Sequence, residues 1–163
     1  MKYYAGIGSR KAPENILRLM QKTAAWLEKR DYVLRSGGAQ GSDQAFERGV
    51  EAKKEIFYAK DATSAAMDVA KNYHPAWNRM GSYAQKLHAR NAFQVLGNPL
   101  YLKPVDFVIC WTPDGCESHA SRSIASGGTG TAISIANAND IPVYNLFNDS
   151  SVLKLREFFR TIK

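Results

Sequence analysis

Ser36-Gly37-Gly38-Ala39-Gln40-Gly41-Ser42-Asp43 is the stretch of sequence that decides the fold, because it joins the apolar segment Tyr32–Leu34 to a helical pattern. Backbone N–H groups in a glycine-rich turn between a strand and a helix form a cradle for anions, phosphate above all. A second turn of this kind, Ser126-Gly127-Gly128-Thr129-Gly130-Thr131, precedes another helical pattern. The two turns together predict one nucleotide-like ligand that is held from two sides.

The apolar pattern of the chain predicts strands that alternate with helices. Strands are expected at Lys2–Gly8, Tyr32–Leu34, Glu55–Ala59, Val105–Trp111 and Ile141–Leu146. Helices are expected at Asn15–Arg30, Asp43–Lys54, Ser64–Tyr73, Ser82–Leu96, Thr129–Asn139 and Ser150–Ile162. We therefore expect an α/β fold, a three-layer Rossmann-like parallel sheet of about five or more strands with helices on both faces.

The length of 163 residues predicts a single domain, residues 1–163. Two segments interrupt the alternation: a helical insert near residues 61–103 and a polar, serine-rich loop near residues 112–126, which we expect to be mobile and lid-like. No apolar run approaches the roughly 20 residues that a membrane span needs. The N-terminus has no signal-peptide pattern. We expect a cytoplasmic protein that does not contact membranes.

The formal net charge of +7 predicts attraction to polyanions or to anionic small molecules, although lysines also keep surfaces soluble. Cys110 and Cys116 lack the spacing of a structural zinc site, and we expect ordinary thiols. His74, His88 and His119 have no metal-ligand spacing either. The sequence therefore predicts neither a metal site nor a cofactor.

The turn Gly8-Ser9-Arg10 follows the first predicted strand. Ser9 offers a hydroxyl hydrogen bond, and the Arg10 guanidinium can fork onto a phosphate. Strand-to-helix turns of a parallel sheet lie at its carboxyl edge, so this turn is expected to meet both glycine-rich turns. Arg90-Asn91 is expected at the same edge, where it contacts the ligand or holds a loop. A plain polar turn and a solvated surface arginine are the alternatives.

Individual residues of the first glycine-rich turn have distinct expected roles. Gly37 and Gly38 allow the backbone to approach a ligand closely, and Gly41 allows tight packing where the helix begins. Asp43 either caps that helix, which is the preferred interpretation, or accepts a hydrogen bond from a ribose hydroxyl. No lysine follows Gly41, so a magnesium-ATP P-loop is not predicted.

The second glycine-rich turn follows the same logic. Thr129 and Thr131 add hydroxyl donors, although Thr131 or Ser126 can equally act as an ordinary N-cap. Trp111 ends a predicted strand at this edge, where it either packs or stacks on a base.

The motifs Gly8-Ser9-Arg10, Ser36–Asp43, Arg90-Asn91 and Gly128-Thr129-Gly130-Thr131-Ala132 occur in an order that resembles the Rossmann-like domain of DprA/Smf proteins. These proteins belong to the wider SLOG superfamily, and the resemblance spans about Tyr4 to Leu146. It implies a site for a ligand or its phosphate at Gly8, Ser9, Arg10, Ser36, Gly37, Gly38, Ala39, Gln40, Gly41, Asp43, Arg90, Asn91, Gly127, Gly128, Thr129, Gly130 and Thr131.

The resemblance implies a partner that is single-stranded DNA, as for DprA-type domains, or a nucleotide-derived small molecule, as for other SLOG members. It also implies a homodimer or higher homo-oligomer. A third branch, the LOG enzymes, cleaves the N-glycosidic bond of nucleoside monophosphates with a glutamate in P-G-G-x-G-T-x-x-E. Here Ser126 replaces that proline and Ser134 replaces that glutamate, while Ala92 replaces the last arginine of the DprA segment R-N-R.

Three functions stay open on the sequence. The first is a module that binds a nucleotide or single-stranded nucleic acid. The second is an N-glycosidase, for which Asp43 and Glu47 are the catalytic candidates because they are four residues apart on one helical face. Asp114 and Glu117 in the polar loop are further candidates. The third is an interaction protein that keeps the fold and binds no ligand.

Overall fold

A five-stranded sheet lies at the centre of the computed structural model, which describes residues 1–163. The strands pair in the order β3-β2-β1-β4-β5, and every pairing is parallel. Their bounds are β1 Lys2–Gly6, β2 Tyr32–Ser36, β3 Lys54–Ile56, β4 Phe107–Cys110 and β5 Val143–Asn145. The predicted Rossmann-like parallel sheet is confirmed.

Six α-helices connect and cover the strands. They are α1 Glu14–Glu28, α2 Ser42–Arg48, α3 Ser64–Lys71, α4 Ser82–Leu96, α5 Thr129–Ala138 and α6 Asp149–Thr161. The second helix is shorter than its predicted range, Asp43–Lys54. It ends because Gly49 lies against the backbone carbonyl of Gln21 in α1, where no side chain fits, and the chain then turns into β3. None of the helices combines the length and apolar character that a membrane crossing requires.

Alternate side chains of the strands enter two different cores. In β1, Tyr4 packs with buried residues of α1, α2 and α6, while Ala5 packs with buried residues of α3, α4 and α5. In β4, Phe107 and Val108 divide between the two cores in the same way. This period of two is what a strand covered on both faces requires. The helices therefore form layers on both faces, as predicted.

The strand order places a switch point at β1. The chain builds β2 and β3 on one side of β1, and then returns through α3 and α4 to build β4 on the other side. In open α/β sheets, ligands bind in the crevice outside the carboxyl ends of the strands at such a point. The segment predicted as a helical insert, near residues 61–103, contains this return connection.

The polar loop at residues 112–126 folds on itself and is tied to β5. The Asp114 carboxylate accepts hydrogen bonds from the hydroxyls of Ser123 and Ser126, each at 2.6 Å. The Glu117 carboxylate accepts one from the backbone N–H of Asn145 at 2.9 Å. The loop that the sequence predicts to be mobile is thus anchored at several points in the structure.

Candidate functional site

A cleft of about 410 Å³ opens beyond the carboxyl ends of β1 and β4, and we call it the primary cleft. Residues 7–11 form its wall after β1, and residues 125–129 form the wall opposite. The first glycine-rich turn contributes Ala39 and Asp43, and one face of α4 completes the wall. The turns that the sequence predicts to meet at one edge therefore do meet, at the switch point of the sheet.

The structure divides the predicted site residues into two groups. Those that line the primary cleft are Gly8, Ser9, Arg10, Ala39, Asp43, Arg90, Asn91, Gly127, Gly128 and Thr129. Those that lie outside its lining are Ser36, Gly37, Gly38, Gln40, Gly41, Gly130 and Thr131. The residues of the second group lie behind or beside the wall of the cleft.

Side chains of the protein fill the space beside Gly37 and Gly38. A Cβ atom at Gly37 would lie 2.5 Å from Gln94 Nε2 and 2.9 Å from Arg90 Cζ. A Cβ atom at Gly38, where φ is +69°, would lie 2.8 Å from the ring of Tyr58. The sequence predicts that these glycines admit a ligand, but in the structure they admit neighbouring side chains.

Gly41 and Ser36 also lie outside the cleft lining and support the wall of the cleft. Gly41 has φ of +81°, and its Cα lies so close to Arg10 that a Cβ atom would be 2.7 Å from the Arg10 Cα. The Ser36 hydroxyl donates a hydrogen bond to the Gly6 carbonyl at 2.6 Å. Ser42 joins the same two turns, because its hydroxyl donates to the Ser9 carbonyl at 2.7 Å. These contacts lock the first glycine-rich turn against the turn that follows β1.

The second glycine-rich turn is open at Gly127 and Gly128. Nothing lies within 4 Å of a Cβ atom built at Gly127 or at Gly128. The backbone N–H of Gly128 donates to no protein acceptor. Asn91 holds the turn in place by donating from Nδ2 to the Gly128 carbonyl at 2.8 Å. Free N–H groups at the start of a helix are suited to an anion, and this turn leads directly into α5.

Three cationic side chains line the primary cleft, Arg10, Lys11 and Arg90, and none of them forms an ion pair. Arg90 donates from Nη1 to the Gly37 carbonyl at 2.6 Å, while its buried Nε has no hydrogen-bond partner. The backbone N–H of Arg10 is also without an acceptor. Unpaired cations and free donors at one place favour an anionic ligand.

Asp43 is the single carboxyl group in the lining of the primary cleft. Gly41 is the N-cap of α2, so Asp43 lies inside the first turn of the helix and is not the predicted cap. Its Oδ2 accepts a hydrogen bond from Ala39 N at 3.3 Å. Burial raises the pKa of Asp43 to about 6, against the lowering effect of the Arg90 charge. Asp43 therefore braces the first glycine-rich turn from within.

Gln94 is a site residue that the sequence analysis missed. Its side chain lines the primary cleft, the residue is only 2% exposed, and its amide makes no hydrogen bond within the protein. An amide that lines a cleft and has no protein partner is suited to a polar ligand atom. The available signal is spacing, because Gln94 follows Arg90 by four residues and therefore shares its helical face.

The other catalytic and stacking candidates lie outside the primary cleft. Glu47 forms an ion pair with Lys54 at 3.3 Å instead of joining Asp43. Asp114 and Glu117 are held by the hydrogen bonds inside the polar loop. Trp111 is buried against Phe147, with ring centroids 6.1 Å apart. The structure thus brings only one of the proposed carboxyl groups to the site.

Comparison with known proteins identifies a structural relative. No protein-family model matches the chain, and no curated protein matches it. The chain is similar in structure to DNA processing protein A from Helicobacter pylori, a protein described for its single-stranded DNA binding mode. The TM-score is 0.58 at 17% sequence identity, and the match covers 96% of this chain and 72% of the other. This likeness confirms the predicted DprA-like fold.

Proposed function

We propose that this chain binds single-stranded DNA, and that the primary cleft holds the phosphate backbone. The observation that carries the proposal is the convergence of Arg10, Lys11 and Arg90, all without ion pairs, at the switch point of the sheet. Ligands bind at this point in folds of this kind. The described single-stranded DNA binding of the H. pylori protein supports the choice of ligand.

Some polar groups of the primary cleft match the phosphates of a DNA strand, and others match its bases. Arg10 offers a forked guanidinium, and Arg10 and Gly128, whose backbone N–H groups have no protein acceptor, both line the cleft. These groups match phosphate oxygens. The Gln94 amide has both a donor and acceptors without partners, so it matches the edge of a base or a sugar oxygen. One nucleotide unit thus finds groups for its phosphate and for its base or sugar in the same lining.

Two finer statements belong to the same proposal. The order of the motifs and the DprA-like fold support membership of the SLOG superfamily, with self-association into a homodimer or larger assembly. A small nucleotide presents the same phosphate chemistry as a DNA strand, so it is the alternative ligand for the primary cleft. The two ligands differ in how many phosphates the protein neutralises, and that difference is measurable.

The test is a titration of a fluorescently labelled oligothymidylate with the protein at several salt concentrations. Fluorescence anisotropy measures the binding. Binding should weaken with salt, with a slope of log K against log salt of about −0.7 for each phosphate neutralised. Arg10→Ala should weaken binding roughly tenfold or more and reduce that slope, because it removes a charge-assisted pair. Lys29→Ala is the matched control, since Lys29 is exposed beyond the far end of α1.

Two outcomes contradict the proposal. Absence of oligothymidylate binding removes it, and so does an Arg10→Ala variant that behaves like Lys29→Ala. Tighter binding of a nucleoside monophosphate than of the oligonucleotide, with little salt dependence, identifies the small nucleotide as the ligand instead.

Asp43 favours a second candidate function, hydrolysis of an N-glycosidic bond. It is buried in the lining of the primary cleft, and burial raises its pKa to about 6, which suits a group that exchanges protons near neutral pH. Glu47 does not assist it, because Glu47 is paired with Lys54 outside the cleft. Release of free base from nucleoside monophosphates, abolished by Asp43→Asn, is the observation that would establish this activity.

A further inference from the structure

A second cavity, of about 780 Å³, adjoins the primary cleft. The two share His88, Gly127 and Gly128 in their linings, so the second glycine-rich turn lies between them. The rest of the second cavity is formed by the connection between α3 and α4 and by the polar loop, through His119 and Arg122. The function proposed above uses none of these polar-loop residues.

All three histidines of the chain line the second cavity. Each uses its Nδ1 atom in a hydrogen bond within the protein, and no Nε2 atom has a protein partner. The three Nδ1 bonds join His74 to Ala76 N at 3.1 Å, His88 to Thr131 Oγ1 at 2.8 Å and His119 to Ser134 Oγ at 2.8 Å.

The bond at His74 fixes which nitrogen carries the proton, and the bonds at His88 and His119 allow the same tautomer. His74 Nδ1 accepts from a backbone N–H, so the proton of the neutral ring is on Nε2. The hydroxyls of Thr131 and Ser134 accept hydrogen bonds from the Arg122 guanidinium, at 2.9 Å and 3.3 Å, and each has a proton that it can donate to His88 or His119. His74 therefore presents an Nε2–H donor, and His88 and His119 do so when the neighbouring hydroxyl donates to Nδ1.

Burial and neighbouring positive charge keep the His74 and His88 rings neutral. Burial, followed by the charge of Arg122, lowers the pKa of His74. Burial, followed by His74, Arg122 and Arg90, lowers the pKa of His88 to about 4. At neutral pH each of these two rings has one proton, and the Nδ1 bond of His74 places the proton of that ring on Nε2.

Arg122 adds a fixed positive charge to these donors. Its guanidinium also donates to the Tyr73 carbonyl, it forms no ion pair, and no carboxylate lines the second cavity. A metal ion does not fit, because the guanidinium would repel it and the side chains form no group arranged to hold a metal. A cation together with N–H donors is the chemistry of an anion site.

We propose that the second cavity is a subsite for a second phosphate of the ligand whose first phosphate lies in the primary cleft. This inference rests on the function proposed above and specifies its substrate class. The ligand has at least two phosphates, as a phosphorylated dinucleotide or a longer strand does, and passes across the Gly127-Gly128 turn. Arg122 and the Nε2–H groups of His74 and His119 bind that second phosphate.

The test compares thymidine 5′-phosphate, with one phosphate, and its 5′-phosphorylated dinucleotide, with two, by isothermal titration calorimetry. The native protein should bind the dinucleotide about tenfold more tightly or better. The double variant His74→Asn/His119→Asn should lose that gain, because asparagine keeps a polar atom near the Nδ1 position and has none at Nε2. Its affinity for the mononucleotide should stay within about twofold of the native value.

The double variant His74→Gln/His119→Gln is the matched control. Glutamine extends a polar atom towards the Nε2 position, so part of the gain should persist. Equal affinities of the native protein for the two nucleotides overturn the second subsite and leave the primary cleft intact. Absence of binding by both nucleotides and by oligothymidylate overturns the proposed function itself. A parallel loss of both affinities in the asparagine variant also overturns the subsite.

The tautomers give an independent measurement on the free protein. Nitrogen-15 NMR of the imidazoles should find the proton on Nε2 in all three histidines. A proton on Nδ1 of His74 or His119 contradicts the donor arrangement, whatever the binding data are. Unchanged thermal midpoints of the asparagine and glutamine variants establish that both remain folded.

Discussion

The two glycine-rich turns are alike in sequence and opposite in surroundings. In the first turn, the space beside Gly37 and Gly41 is filled by protein atoms. In the second turn, the space beside Gly127 and Gly128 is empty. Glycine thus meets a packing requirement in the first turn, whereas in the second turn Gly127 and Gly128 leave a surface open and only Gly130 packs tightly, against Arg122. The difference teaches that a glycine-rich turn at a sheet edge is not by itself a ligand contact.

A buried or bonded carboxyl group supports each turn, and the two groups have opposite electrostatics. Asp43 in the first turn is buried, and burial raises its pKa to about 6. Asp114 reaches the second turn through Ser126, and hydroxyl hydrogen bonds outweigh its desolvation and hold its pKa below the usual value. Ionisation of Asp43 therefore lowers the stability of the folded protein near neutral pH, whereas ionisation of Asp114 does not.

The largest effect expected from this comparison is on stability. Gly41→Ala places a methyl group 2.7 Å from the Arg10 Cα at a φ of +81°. Backbone strain and overpacking together should lower the free energy of unfolding by about 2–6 kcal/mol, measured by urea denaturation. Gly81→Ala is the control, because nothing lies within 4 Å of its added Cβ atom. Similar losses in the two variants contradict the packing role of the first turn.

The next effect is a dependence of stability on pH that differs in sign between the turns. The pKa of Asp43 is about 6 in the folded protein and 3.8 in the unfolded chain. The folded state therefore binds the extra proton in that window, and stability falls as pH rises through it. The cost at neutral pH is up to about 3 kcal/mol. Asp43→Asn should remove this fall, because an amide does not ionise and still accepts from Ala39 N.

Asp114→Asn provides the opposite arm of that experiment. The lowered pKa of Asp114 contributes stability above its unfolded value, and that stability is lost as pH falls through the folded pKa. Urea denaturation across this range should show Asp43→Asn gaining stability near neutral pH and Asp114→Asn losing it. If both variants change the free energy of unfolding in the same direction, the surroundings of the two carboxyl groups do not shift their pKa values in opposite directions.

The fold was predictable because local patterns agree with it. The alternation of Tyr4 and Ala5, and the helical spacing of Met20, Ala24 and Leu27, follow from the period of each element. The bounds of α4 were found as predicted, Ser82–Leu96. The early end of α2 was not predictable, because it depends on the approach of α1 to Gly49, a contact between distant parts of the chain.

The site was predictable where it depends on backbone turns and not where it depends on burial. Arg10, Asn91 and Gly128 were predicted from their motifs, and they line the primary cleft. Gln94 lines the primary cleft because α4 packs beside the turns, and no local pattern of the sequence encodes that contact. Thr131 was predicted to face a ligand, but its hydroxyl is directed to His88, since it lies within buried α5.

The smallest expected effect bears most directly on the open turn. Gly128 has φ of −61°, an ordinary helical value, and an added Cβ atom meets nothing within 4 Å, so Gly128→Ala should leave the urea unfolding curve unchanged. The methyl group nevertheless enters the space beside the free Gly128 N–H, and oligothymidylate binding should weaken about tenfold. Gly128→Ala should therefore change binding without changing stability. Anisotropy and urea denaturation of the same sample decide whether the second turn contacts the ligand or only supports the fold. An unchanged dissociation constant would leave this turn open to solvent without any ligand contact.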